Sequence, residues 1–135
     1  MREKSRILIV DDDPGITETM ADILDAMGYD VMIANDGHRA MTMVQERAFD
    51  LALMDIRMPG MNGVETFKKI KYTSPATKIV IMTAYAVESL LNEAVQEGVY
   101  GIMHKPLDID GIVRLIEKSE KGRIIHIVDD YWHSP

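Results

Sequence analysis

An open α/β fold built on a five-stranded parallel sheet is predicted by three features of the chain. Short apolar runs recur at 7–10 (ILIV), 31–34 (VMIA), 51–54 (LALM) and 79–82 (IVIM), with a weaker one at 100–103 (YGIM). They do not alternate with polar residues, so each suits a strand buried on both faces, as in a parallel sheet covered by helices. Between the runs, apolar residues recur at helical spacing. Polar residues then gather where the runs end, as the carboxyl ends of strands in such a sheet would require. Five β-α units in succession argue for a doubly wound sheet, and right-handed crossovers leave few topologies. The expected strand order is 2-1-3-4-5, with the ligand crevice between strands 1 and 3, where the winding reverses.

The elements follow in order. The first strand runs straight into Asp11, Asp12, Asp13 and Pro14. Proline favours the first helical position and aspartate the N-cap, so Asp13 is expected to cap the first helix. On that helix Ile16, Met20, Ile23, Leu24 and Met27 fall on one face, and Gly28 stands where a left-handed cap is expected. Strand 2 is peripheral and ends in Asn35 and Asp36, for which the sequence suggests no role. Weaker helical patterns cover 37–47 and 63–71. Strand 3 ends in Asp55, followed by the loop "IRMPGMNG". Strand 4 ends in Thr83. Val87, Leu90, Leu91, Ala94 and Val95 mark the fourth helix, and Gly98 its cap. Strand 5 ends in Lys105 and Pro106, before a fifth helix carrying Ile109, Ile112, Val113 and Ile116.

Composition narrows the function classes. The chain has 135 residues, the size of one domain, and that length buries enough surface to fold without disulfides. It has no cysteine, which excludes zinc–thiolate sites, redox pairs and cysteine nucleophiles. The opening "MREKSR" is polar and the apolar run after it is four residues long, too short for a signal-peptide core or a membrane span. The expectation is a cytoplasmic protein with no membrane contact. The net charge is −7, and Lys68, Lys69 and Lys71 form the one tight basic cluster, read as a solvated helix face. Direct nucleic-acid binding is not expected. The eleven methionines, Met20, Met27, Met43, Met54 and Met82 among them, are read as core filling; Met58 and Met61 flank the strand-3 loop.

Asp11, Asp12 and Asp55, with the Thr83 hydroxyl and the Lys105 ammonium, are thus expected to converge on one crevice. Three close carboxylates cannot all remain ionised without compensation. A hard divalent cation resolves this, and Mg²⁺ prefers such oxygen ligands, together with waters and phosphate oxygens. The four histidines show no ligand spacing.

In their order, "LIVDDD", "LALMDIRMPGMNG", "IVIMTAY" and "HKPLDID" resemble the successive motifs of the response-regulator receiver domain of two-component signalling. The likeness is greatest to receivers of nitrogen-regulation and sporulation-phosphorelay type, and it covers roughly residues 6–119. The resemblance implies a flavodoxin-like (βα)5 fold and a phospho-acceptor function, with no conventional enzyme activity beyond self-catalysed phosphorylation and slow autodephosphorylation. Asp55 matches the phosphorylated aspartate, and carboxylates do form aspartyl phosphates. Asp11 and Asp12 match the pair that holds Mg²⁺ (or Mn²⁺), with Asp12 the direct ligand and the backbone carbonyl of Arg57 another. Lys105 matches the phosphoryl-pairing lysine, Thr83 the switch hydroxyl, and Ala84 beside it belongs to the same phosphoryl-binding set. Lys105-Pro106 matches a bond that is usually cis in this family. Many receivers carry an aromatic residue where this chain has Ile102, so an aromatic toggle is not expected here. Arg57 and Tyr85, each two residues beyond a site residue, are expected at the crevice mouth as modulators of water access. The implied partners are a histidine kinase or histidine phosphotransfer protein, a downstream effector, and a second copy through the face made by helix 4, strand 5 and helix 5.

Two questions stay open on sequence alone. Residues 1–121 read as the receiver and 122–135 as a tail, in which "RIIHIVDD" (123–130) parallels "RILIVDD" (6–12). It reads equally as the start of a second receiver, an added strand, or a chance apolar tail. The rival functions are a Mg²⁺-dependent phosphohydrolase with an aspartate nucleophile, disfavoured because Arg57 stands where a second aspartate is usual, and a binding-only pseudo-receiver. A nucleotide-binding flavodoxin-like protein is weaker still, since no glycine-rich phosphate loop follows strand 1.

Overall fold

The computed structural model describes residues 4–57, 63–84, 88–105 and 108–121. Among these residues five strands and five helices alternate: β1 (Arg6–Val10), α1 (Pro14–Ala26), β2 (Asp30–Ala34), α2 (Gly37–Glu46), β3 (Leu51–Asp55), α3 (Gly63–Thr73), β4 (Lys78–Thr83), α4 (Glu88–Gln96), β5 (Gly101–His104) and α5 (Ile109–Glu120). All pairings are parallel, and the sheet order is β2-β1-β3-β4-β5. The expected doubly wound topology is the observed one. Tyr100 lies just before β5 rather than in it, with the Lys78 amine 6.0 Å from its ring centre.

Strand alternation divides the interior into two cores. Leu8, Val10, Ala52, Met54, Ile79, Ile81 and Ile102 face α2, α3 and α4, where Met43, Phe67, Ile70, Leu91 and Ala94 meet them. Ile7, Ile9, Leu51, Leu53, Val80, Met82 and Met103 face α1 and α5, where Met20, Leu24, Ile112, Leu115 and Ile116 meet them. Both faces of β1, β3 and β4 are therefore apolar, which is why their sequences run continuously instead of alternating. Edge strand β2 is only half buried over Asp30–Ile33.

Helix ends set the entry to each strand. Asp13 caps α1, its carboxylate accepting from the backbone N–H groups of Gly15 and Ile16 at 2.9 and 3.3 Å. Asp36 and Asp108 cap α2 and α5 in the same manner. Gly28 (φ 98°) and Gly98 (φ 89°) close α1 and α4 in the left-handed conformation that glycine adopts without strain. After each, the next N–H turns back into the last helical turn: Tyr29 to the Leu24 carbonyl at 3.1 Å, Val99 to that of Ala94 at 3.0 Å.

Two expectations about side chains are corrected. The buried stripe of α1 is Thr17, Met20 and Leu24, while Ile23 and Met27 are 38% and 52% exposed. Met27 lies beyond the last residue of α1, as its C-cap, and fills no core. Lys68 is also more than a solvated cation: its amine reaches Glu93 of α4 at 2.5 Å and Glu97 at 3.9 Å. Met54 and Met82 are fully buried, and Met20 and Met43 nearly so, as core filling requires. The expectations for Met58, Met61, Val87 and the 122–135 tail lie outside the described residues.

Candidate phosphoryl-transfer crevice

The crevice follows from strand parity. β1 and β3 pair in register through Val10 and Met54, so Asp11 stands beside Asp55, each continuing the α1–α5 face of its strand. Lys105 lies two residues beyond Met103 on that same face of β5. The period of two thus aims two carboxylates and one ammonium at a single point above the sheet. Lys105 Nζ donates to Asp11 Oδ2 at 2.5 Å and to Asp55 Oδ2 at 3.0 Å. The Lys105 side chain is 13% exposed, while Asp11 is fully buried and Asp55 nearly so.

Paired charges at this depth interact strongly because little water screens them. Burial pulls the Lys105 amine toward its neutral form, but the hydrogen bonds and charges of Asp11 and Asp55 outweigh that and hold its pKa above the ordinary 10.5.

Asp12 completes the acidic set from the exposed side. Carboxylate oxygens of Asp11, Asp12 and Asp55 all lie within 4.8 Å of one another. One lysine cannot balance three carboxylates, and an all-oxygen, strongly anionic donor set fits a hard divalent cation. The set is held in place locally. The Asp13 N–H donates to Asp11 Oδ1 at 3.0 Å, and the Arg57 N–H donates to Asp55 Oδ1 at 3.0 Å. The exit from β3 is pinned where the Gly63 N–H donates to the Ile56 carbonyl at 3.0 Å; a Cβ on Gly63 would stand 2.3 Å from that oxygen.

The remaining sequence-predicted residues divide cleanly. Thr83 is buried at the end of β4, and its carbonyl accepts from the Lys105 N–H at 2.8 Å, tying β4 to the lysine. Ala84 and Arg57 are exposed. Ile102 is fully buried in the α2–α4 core and pairs with Ile81. Asp13 and Pro14 form the start of α1. Tyr85 and Pro106 lie outside the described residues.

One residue given no role by the sequence lies against the site. The Asn35 amide donates to the backbone carbonyl of Asp11 at 3.1 Å. Sequence offered no signal for it, because the partner is a backbone atom 24 residues away.

Comparison with known proteins agrees with this geometry. The family model described as "Response regulator receiver domain" matches residues 7–117. Transcriptional regulatory protein ZraR of Escherichia coli is 41% identical over 123 residues, covering 91% of this chain and 27% of that protein. The chain thus spans about a quarter of that relative's length. Sporulation initiation phosphotransferase F of Bacillus subtilis is 36% identical over 118 residues, covering 87% of this chain and 94% of that protein. Among solved structures, a receiver domain protein (CheY-like) from Methanospirillum hungatei superposes with a TM-score of 0.82 at 30% identity, over 90% of this chain and all of that one.

Proposed function

The chain belongs to the response regulator receiver domain family, and we propose that it accepts a phosphoryl group on Asp55. As a receiver it is a phospho-acceptor signalling module of two-component and phosphorelay systems. The observation that carries the assignment to Asp55 is the placement of Lys105 between Asp11 and Asp55, with Asp12 alongside.

Asp11, Asp12, Asp55 and the backbone carbonyl of Arg57 would hold Mg²⁺, with Mn²⁺ as an alternative. When bound, the cation supplies charge neutralisation at the phosphoryl oxygens. A carboxylate oxygen of Asp55 attacks phosphorus. The bond from phosphorus to the donor breaks, a P–N bond when the donor is a phosphohistidine, and its electron pair leaves with the donor nitrogen. Lys105 turns from the Asp55 carboxylate to the new phosphoryl oxygens, a move of one hydrogen bond. The Thr83 hydroxyl and the segment at Ala84 respond to the added charge, so the α4–β5–α5 face changes. With Ile102 in place of an aromatic residue, that change runs through Thr83 and α4. Arg57 and Tyr85 would tune water access to the acyl phosphate.

The proposed donors are a histidine kinase or a histidine phosphotransfer protein in the cytoplasm. The proposed readers are an effector protein and a second copy of the chain through α4, β5 and α5. Residues 1–121 are the proposed receiver. Intact-mass measurement after incubation with acetyl phosphate tests the reading. A phosphoryl adduct is expected that requires Mg²⁺ and is absent in Asp55→Asn. No adduct under rapid quenching would leave a receiver fold used for binding alone.

A further inference from the structure

We infer that Asn35 is a positioning residue for the divalent cation, acting through the backbone of the acidic loop; the inference rests on the function proposed above. Neighbouring residues of a strand point to opposite faces, yet Asp11 and Asp12 must both present oxygens to one point. The chain meets that demand by leaving β1 at Val10 and turning. The last rung of the β1–β2 ladder is the Asp11 N–H donating to the Ala34 carbonyl at 3.2 Å. A regular parallel ladder would next offer the Asp11 carbonyl a backbone N–H from β2. But β2 stops at Ala34, because Asp36 turns aside to cap α2, its carboxylate accepting from the Arg39 N–H at 2.7 Å. The donor that reaches the Asp11 carbonyl is the Asn35 side-chain amide, at 3.1 Å.

That carbonyl belongs to the peptide plane joining Asp11 to Asp12. Fixing the plane fixes the angle at which the two carboxylates diverge. The loop is held at its other end by the Asp13 N–H on Asp11 Oδ1 and by Asp13 itself as the α1 cap. Asn35 supplies the anchor from the edge strand. Its amide bonds the backbone of Asp11 and not a carboxylate of the acidic set.

The test is Mg²⁺ affinity, measured with Mg²⁺ alone by calorimetric titration on wild type, Asn35→Ala, Asn35→Leu, Asp36→Ala and Asp12→Asn. Asn35 is exposed, so its substitution leaves the fold intact. Partners that bond a metal-ligating group typically alter affinity 10–100-fold; for one acting through the backbone the expected loss is roughly three- to tenfold in both Asn35 variants. Asp36→Ala removes the adjacent helix cap, so its melting temperature should fall while its Mg²⁺ affinity stays that of wild type. Asn35 variants binding Mg²⁺ as tightly as wild type would overturn the inference. So would an equal loss in Asp36→Ala, which would show a general loosening of the β2–α2 corner. A wild type that binds no Mg²⁺, or an Asp12→Asn variant equal to it, would instead overturn the underlying reading of the crevice and the inference with it.

Discussion

Lys105 carries a charge balance that can be read out by pH. Its amine bonds both Asp11 and Asp55, and its pKa stands above the ordinary lysine value of 10.5. A group whose pKa is raised on folding stabilises the fold fully below its unfolded value, and that contribution is lost as pH climbs through the folded value. Without Mg²⁺, the melting temperature of wild type should therefore fall above pH 10.5 more steeply than that of Lys105→Met. Parallel curves would contradict the pairing. The same substitution should tighten Mg²⁺ binding a few-fold, since the amine and the cation answer the same carboxylates, while lowering the yield of phosphoryl adduct. Asp11 and Asp55 were legible in sequence because each stands directly after an apolar run, and Asp12 and Lys105 because each stands one residue further on; for Asp11, Asp55 and Lys105 a strand's period of two then fixes the direction. Asn35 was not legible, because its partner is the backbone of Asp11 and residue type carries no record of that contact.

Helix ends and helix contacts separate support from chemistry. Asp13 stands beside two candidate cation ligands, yet its carboxylate is occupied by the N–H groups of Gly15 and Ile16. Asp13→Ala should cost about 1 kcal/mol of stability, roughly 4 °C in melting temperature. Its Mg²⁺ affinity should fall far less than that of Asp12→Asn; equal losses would move Asp13 into the cation site. On the opposite face, Lys68 of α3 holds Glu93 of α4 and Glu97 just beyond its end. In Lys68→Met, amide hydrogen exchange in α4 should quicken at low salt, and the difference should close at high salt, where exposed ion pairs are screened. Unchanged exchange would mean that burial of Leu91 and Ala94 alone holds the helix. Periodicity located the helices correctly but overstated the buried stripe of α1, because Ile23 and Met27 share its apolar spacing without reaching the sheet. It also missed the Lys68 pairs, since contacts between helices far apart in sequence leave no local pattern.

At the scale of the molecule, one sheet order explains both the cores and the crevice. The winding reverses between β1 and β3, α1 and α5 cover one face and α2 to α4 the other, and the carboxyl ends of β1, β3 and β5 meet above the reversal. This architecture was legible because buried parallel strands read as unbroken apolar runs, and because Gly28 and Gly98 mark the ends of α1 and α4. Among the described residues no helix is long and apolar enough to cross a membrane. The central claim is that, of the three carboxylates in the crevice, Asp55 takes the phosphoryl group. It is tested most directly by phosphorylating the protein with acetyl phosphate and Mg²⁺, reducing the acyl phosphate with borohydride, and locating the resulting homoserine by peptide mass spectrometry. Homoserine at position 55 alone is the predicted result; homoserine at position 11 or 12, or at none of the three, would contradict it.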